Sequence, residues 1–415
     1  MSGKCRREEH VAGRLVIVGA GQAAFALAAK LRALKDTRPI TMVGIEETLP
    51  YQRPPLSKKY LLGEMSFDRL LFRPEQWFHD NDVEVRLSTW VEKIDRDQRQ
   101  VVMQDGSRLD YETLALATGS TPRQLPASVG GELRGVYVAR DKRDADLLTG
   151  EMRAGRRLLI IGGGYIGLEA AAVARHLGLE VTVIEMAERI LQRVAAKETA
   201  DIMRTIHLGH DVVIREGVGL TKLIDTNGHV SAAELSDGSV IEVDFVIAGI
   251  GVTPNDQLAK EAGLDVANGI VVDEFARSSD PAIYAIGDCA MLPWNGMRIR
   301  LESVQNAVDQ AEAAAALMAG GSAPYEPKPW FWSDQYDVKL QIAGFNLGYD
   351  ETLLRTGARE GSASVWYFKA GELIAVDAIN DARAYVAGKK MIESGITPDK
   401  ALLADPATDL KQFLA

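Results

Sequence analysis

Short unbroken apolar runs, each closed by glycine and followed by an Ala/Leu-rich amphipathic stretch, set the elements that this chain predicts. RLVIVGAGQAAFALAAKLRAL, from Arg14, returns as RLLIIGGGYIGLEAAAVARHL from Arg157, 143 positions later. Each copy reads as a buried parallel strand, a tight glycine turn and a helix. TLALATGSTPRQLP from Thr113 and FVIAGIGVTPN from Phe245 share a second form, an apolar strand running into a Gly/Pro crossover where the chain passes between domains. AIYAIGDCAM supplies another strand, ahead of an Ala-rich helix beginning near Val304. Pro324, Pro327 and Pro329 then mark a linker, after which PWFWSDQYDVKLQIAGF and SASVWYFKAGELIAVDAIN predict hairpin strands with terminal helices. The fold class is therefore α/β, with two Rossmann-like dinucleotide-binding domains and an α+β C-terminal domain.

The repeated turn carries the first chemistry. Gly19, Gly21 and Ala24 occupy the Gly-x-Gly-x-x-Gly/Ala positions of the first copy, and Gly162, Gly164 and Gly167 those of the second. Residues without a Cβ let the backbone approach a pyrophosphate, whose charge faces the unpaired N–H groups and positive end of the helix. EVTVIE ends in Glu185, 23 positions past Gly162, close to the spacing of a ribose-binding carboxylate. Glu185 would repel a 2′-phosphate, and no arginine follows at Met186 or Ala187, so NADH is favoured over NADPH. In the first copy ITMVG runs into Glu46 and Glu47, with Glu46 the preferred ribose ligand. Arg189 and Arg193 are candidates for the NADH adenine or phosphates, the alternative being helix charges paired with Glu185 and Glu188. Two such sites in one chain imply one resident redox cofactor and one exchangeable nicotinamide.

Composition narrows the class. Of 415 residues, 47% are hydrophobic and 25% charged, a globular balance, and the net charge of −11 argues against nucleic-acid binding. The polar start, Met1 to Gly13, and the lack of any apolar run of about 18 residues predict a cytoplasmic protein without membrane association. With only Cys5 and Cys289, neither a disulfide framework nor a Cys-ligated cluster is available, so redox chemistry must come from a bound cofactor. Cys289 reads as a small buried side chain. His207 and His210 share one helical face, but two ligands do not make a metal site.

From VIVGAGQAA through RPPLSKKYL, LALATGSTPR, IIGGGYIGLEAA, VIAGIGVTPN, AIGDCA, RLESVQNA and PWFWSDQY, the chain resembles the FAD-dependent ferredoxin reductases of bacterial cytochrome P450 and ring-hydroxylating systems. That resemblance implies a glutathione-reductase-like architecture: an FAD domain of residues 1–122 and 254–329, an NADH domain of 123–253, and a C-terminal domain of 330–415 covering the flavin. The first glycine set, with Ala23, then takes FAD, and the second, with Ile166, takes NADH. Lys58 and Glu169 match the pair beside the flavin N5, with Arg53 and Pro55 lining the same pocket. The resemblance also assigns Asp288 to the ribityl chain, Val304 to the pyrimidine side of the ring, Thr118, Gly119 and Arg123 to the crossing strand near FAD, and Val91 to the adenine end. Gly249 and Ile250 go under the nicotinamide half. Trp330 and Trp332 suit the flavin edge and electron exit, with Trp332 preferred.

The same resemblance names a [2Fe–2S] ferredoxin as partner, a cytochrome P450 as the indirect one, and a monomer or weak dimer as the assembly. NADH gives electrons in pairs and such a ferredoxin takes one, so flavin must hold the pair and release it stepwise. Disulfide reductases with two dinucleotide motifs need a cysteine pair, which this chain lacks. A rubredoxin reductase, or an NADH-sensing flavoprotein like apoptosis-inducing factor, are the alternatives. Ferredoxins of this class are acidic, and from residue 331 onward the chain has nine Lys/Arg against twelve Asp/Glu, so a local patch must steer docking. Arg383, Lys389, Lys390 and Lys411 are its candidates, while Glu312 stands where a relative has arginine.

Overall fold

The structure, a computed structural model, describes residues 13–414. Cys5 lies outside the described residues. The described chain divides into two compact units: residues 13–52, 67–121 and 252–327 form one, and residues 53–66, 122–251 and 328–414 the other.

In the first unit a five-stranded parallel sheet is ordered Ile283–Ala285, Thr113–Leu116, Leu15–Val18, Ile40–Val43, Val83–Arg86. Leu15–Val18 is buried at every position, as expected of a central parallel strand covered on both faces. Helices Gln22–Ala33 and Val304–Met318 pack one face through Ala24, Ala28, Ala311 and Ala315. Small side chains on both helices allow that close approach. Val91 begins a separate three-stranded antiparallel sheet with Gln100–Met103 and Arg108–Asp110.

The second unit repeats the plan. Its parallel sheet is ordered Val213–Glu216, Glu180–Glu185, Arg157–Ile161, Phe245–Ala248, Val136–Tyr137. The glycine-turn strand is central in both sheets, with its βα-linked neighbour on one side and the crossover strand on the other. Only the fifth strand has a different origin, arriving late in the chain in the first unit and early in the second.

The same unit contains the antiparallel sheet Trp330–Gln335, Val338–Gly344, Glu372–Ile379, Ala363–Lys369, Glu351–Thr356. Along Ala363–Lys369, Trp366 and Phe368 face the helix Ala382–Glu393, while Val365 and Tyr367 face Ala196. A strand buried on both faces explains why VWYF is apolar without interruption. Val338, Leu340 and Ile379 join Leu168 of the second glycine-turn helix in one cluster, tying this sheet to the nucleotide fold.

Candidate functional site

At the first turn, Gly19 has φ +117°, and a Cβ there would lie 2.1 Å from the Ala117 carbonyl oxygen. Only glycine lets strands Leu15–Val18 and Thr113–Leu116 close at that point. Gly21, the N-cap of helix Gln22–Ala33, makes no side-chain cap, and a Cβ on it would meet nothing within 4 Å. The helix thus presents uncapped N–H groups to open space, the arrangement that suits a phosphate. Ala23 and Ala24 are buried behind it. A Cβ on Gly287 would lie 3.1 Å from that of Ala23, which brings the Gly287–Asp288 turn against the glycine-turn helix. Asp288 accepts a hydrogen bond from Ser120 Oγ at 2.9 Å. Val304 opens its helix as expected, with Ser303 as N-cap. Glu46 accepts from Tyr51 at 2.6 Å. Thr118 and Asn255 exchange hydrogen bonds of 2.6 and 2.8 Å beside Gly119. The Val91 side chain is buried at the start of strand Val91–Asp95.

The second turn is built alike. Gly162 has φ +108° and approaches the Gly249 carbonyl, where a Cβ would stand at 2.4 Å, and a Cβ on Gly167 would meet the Gly162 carbonyl at 2.2 Å. Gly164 again caps its helix, Tyr165–His176, with open space before it. Ile166 is half exposed beside that opening. Glu185 is held at the strand end, its two oxygens accepting from the N–H groups of Gly163 and Ala187, both at 2.8 Å. Each oxygen retains lone-pair capacity for a diol.

Residues after Glu185 correct one expectation. No helix carries Arg189 and Arg193, since the chain from 186 to 196 runs through turns and Leu191 takes φ +54°. Arg189 donates to the Ala195 carbonyl at 2.8 Å and is a loop brace, whereas Arg193 is exposed near Gly251. Neither pairs with Glu185, whose oxygens take backbone donors. The Gly249 N–H donates to Ile161, Ile250 lies against the core under the sheet, and the Arg123 N–H binds the Gly251 carbonyl while its side chain is exposed.

Lys58 sits within the helical turn Leu56–Tyr60, introduced by Pro55, whose backbone breaks helical geometry at Lys58 itself. Its ammonium lies 3.0 Å from Glu169 Oε1. Burial pushes the Glu169 carboxyl above its usual range, opposed by the Lys58 charge and by a hydrogen bond from Ser333 Oγ at 2.7 Å. Sequence reasoning missed Ser333, which reaches Glu169 from 164 positions away. Arg53 donates to the Arg140 carbonyl at 3.1 Å. Trp330 and Trp332, on one face of their strand, lie with ring centroids 5.5 Å apart and planes tilted by 34°, and the Lys389 ammonium lies 5.3 Å over the Trp330 ring.

Cys289 is fully buried, and burial raises its thiol pKa. Among the described residues no cluster of three metal-ligating side chains occurs, and no helix is long and apolar enough to cross a membrane.

The chain matches two family profiles, "Pyridine nucleotide-disulphide oxidoreductase" over residues 13–311 and "Reductase C-terminal" over 330–414. It is 42% identical to the rhodocoxin reductase of Rhodococcus erythropolis, over 97% of this chain and 94% of that one. The crystal structure of the ferredoxin reductase for the CYP199A2 system from Rhodopseudomonas palustris superposes with a TM-score of 0.94 at 40% identity, covering 97% of this chain and all of that one. The reductase in the covalent putidaredoxin reductase–putidaredoxin complex also gives 0.94, at 37% identity, covering 98% and 99%. With twin glycine turns, a buried Lys–Glu pair and likeness along almost its whole length, the chain belongs to the pyridine nucleotide-disulphide oxidoreductase family, among its ferredoxin reductases.

Proposed function

We propose that this chain is a cytoplasmic FAD-dependent reductase that takes electrons from NADH and passes them singly to a [2Fe–2S] ferredoxin serving a cytochrome P450 or related oxygenase. The carrying observation is the pair of uncapped, glycine-opened helices on twin parallel sheets in a chain with no cysteine pair. Gly19, Gly21, Ala23, Ala24 and Glu46 would hold the FAD pyrophosphate and ribose, and Asp288, Thr118, Gly119 and Val304 the flavin end. Gly162, Gly164, Ile166, Gly167 and Glu185 would hold NADH. FAD, when bound, supplies the conversion of a two-electron donor into a one-electron source.

The protein's own part is positioning and electrostatics. Glu169 fixes the direction of the Lys58 ammonium, which would supply a positive charge to favour the reduced, anionic form of a bound flavin. Glu185 selects a free ribose diol over a 2′-phosphate by charge. Trp332 and Trp330, with Lys389 above, mark the exit side. The test is reconstitution: purified protein with NADH and a [2Fe–2S] ferredoxin should reduce the ferredoxin catalytically, and bleaching of the bound flavin without onward transfer would overturn the reading.

A further inference from the structure

From the Lys58–Glu169 pair a continuous line of side chains leads to the surface of the second unit. Ser333 Oγ donates to Glu169 Oε1 at 2.7 Å, and Gln335 Nε2 donates to Ser333 Oγ at 3.0 Å. Gln335 Oε1 meets His207 Nε2 at 2.7 Å, and the Tyr336 hydroxyl meets His207 Nδ1 at 3.2 Å. The Tyr336 ring stacks flat on His210, centroids 3.7 Å apart, and His210 is exposed. Ser333, Gln335 and His207 are at most 1% exposed.

The direction of every bond is fixed from one end. A carboxylate paired with lysine only accepts, so Ser333 must spend its one proton on Glu169 and accept from Gln335. That orients the Gln335 amide, whose oxygen then faces His207 and requires a proton on Nε2. Burial lowers the His207 pKa and keeps the ring neutral, which leaves Nδ1 to accept from Tyr336. Four head-to-tail bonds polarise one another toward the carboxylate. Tyr336 takes φ +57° as the first residue of the two-residue hairpin turn before Val338, where such turns call for a left-handed backbone. The His210 stack and the His207 bond fix the direction of its side chain.

We infer that Ser333, Gln335, His207 and Tyr336 form a positioning relay that keeps Glu169 ionised and aimed at Lys58, with the His207 tautomer as its central element. The inference rests on the proposed reading of Lys58 and Glu169 as the flavin-side pair. Protonating Glu169 at Oε1, the oxygen that takes both Ser333 and Lys58, would reverse the line: Ser333 would donate to Gln335, the amide would turn over, and the proton on His207 would move from Nε2 to Nδ1. The proton at Glu169 Oε1 and the tautomer of His207 are therefore coupled. Other charges facing the line are Asp334 toward Glu169, His210 toward His207, and Arg175 toward Tyr336.

Two measurements on the flavin-loaded protein test it. In 15N-histidine spectra His207 should show the Nε2–H tautomer at neutral pH and lose it in Ser333→Ala. The acid limb of NADH-driven flavin bleaching should move up by about one pH unit in Ser333→Ala, since a lost bond to a carboxylate favours its protonated form. Tyr336→Phe should move that limb the same way by roughly half as much, and should add nothing in the Ser333→Ala background. Tyr336→Phe removes one half-buried oxygen, so it carries the test if Ser333→Ala fails to fold. An Nδ1–H tautomer at neutral pH, or an acid limb unmoved by Tyr336→Phe, overturns the relay. Failure of ferredoxin reduction with the tautomer response intact would instead sink the functional reading alone.

Discussion

Glu185 is fixed by the fold and keeps lone pairs open for the ribose diol proposed for it. Its oxygens each take one backbone N–H, so the carboxylate cannot swing away from the second glycine turn when a ligand arrives. A 2′-phosphate would bring like charge to an immobile carboxylate. Glu185→Ala should lower the ratio of kcat/KM for NADH over NADPH by about tenfold, roughly the effect of removing one charged hydrogen-bonding group, while FAD stays bound. An unchanged ratio in parallel assays of the two coenzymes would refute the charge argument. Glu185 was legible because its distance from Gly162 is set by one strand–turn–helix–strand unit. Ser333 was not, because its proximity to Glu169 is produced by the packing of a distant antiparallel sheet. Arg189 misled for a related reason: an arginine shortly after an acidic residue reads as a ligand or an ion-pair partner, while its carbonyl acceptors in a turn leave no trace in side-chain identity.

Within the glycine turns, members of one motif do different work, and the two kinds can be separated. A Cβ at Gly19 collides with a backbone carbonyl at a positive φ, so Gly19→Ala should destabilise the protein by about 2 kcal/mol or more whatever is bound. Gly21 has φ −98° and open space, so Gly21→Ala should melt like the parent without cofactor yet retain FAD far less well, by about tenfold or more in dissociation constant. Equal flavin retention in Gly21→Ala and the parent would argue that this helix end holds no phosphate. The twin sheets were readable from the 143-residue echo, but the source of the fifth strand was not, since Val136–Tyr137 and Ile283–Ala285 carry no signal of which edge they join.

A buried carboxylate links two further elements. Asp377, on strand Glu372–Ile379, accepts from Thr199 of helix Lys197–Gly209 at 2.7 Å and from Tyr367, and burial raises its pKa to about 6. A folded-state value above the ordinary 3.8 means that the native protein binds this proton more tightly than the unfolded chain. Its contribution is full below about pH 4 and is lost as pH rises through about 6, on the order of 3 kcal/mol in all. Asp377→Asn keeps the shape without the charge. Between pH 5 and pH 7 the parent should lose about 1 kcal/mol, or about 2 °C of melting temperature, relative to that variant. Parallel melting curves across the range would show that Asp377 does not titrate there.

Taken as one charged body, this chain has the wrong sign for an acidic partner. A net charge of −11 repels at long range, and moderate salt screens that repulsion, with a Debye length near 10 Å at 0.1 M. Attraction must come from a few cations, and not every candidate is available for it. Lys389 is already shared between Trp330 and Glu393, and at Glu312 the acidic side chain pairs with Lys30 at 2.9 Å. Arg383 and Lys390, on helix Ala382–Glu393, are exposed and remain the better docking charges. Reversing both, Arg383→Glu with Lys390→Glu, should raise the half-saturating concentration of an acidic ferredoxin by about tenfold. Turnover of NADH with ferricyanide, which needs no docking face, should not change. The parent should show weak salt dependence, because screening relieves global repulsion while it weakens local attraction. In the reversed variant only repulsion is left, so added salt should improve its use of ferredoxin. If salt instead impairs the variant as much as the parent, the steering charges lie elsewhere on the surface.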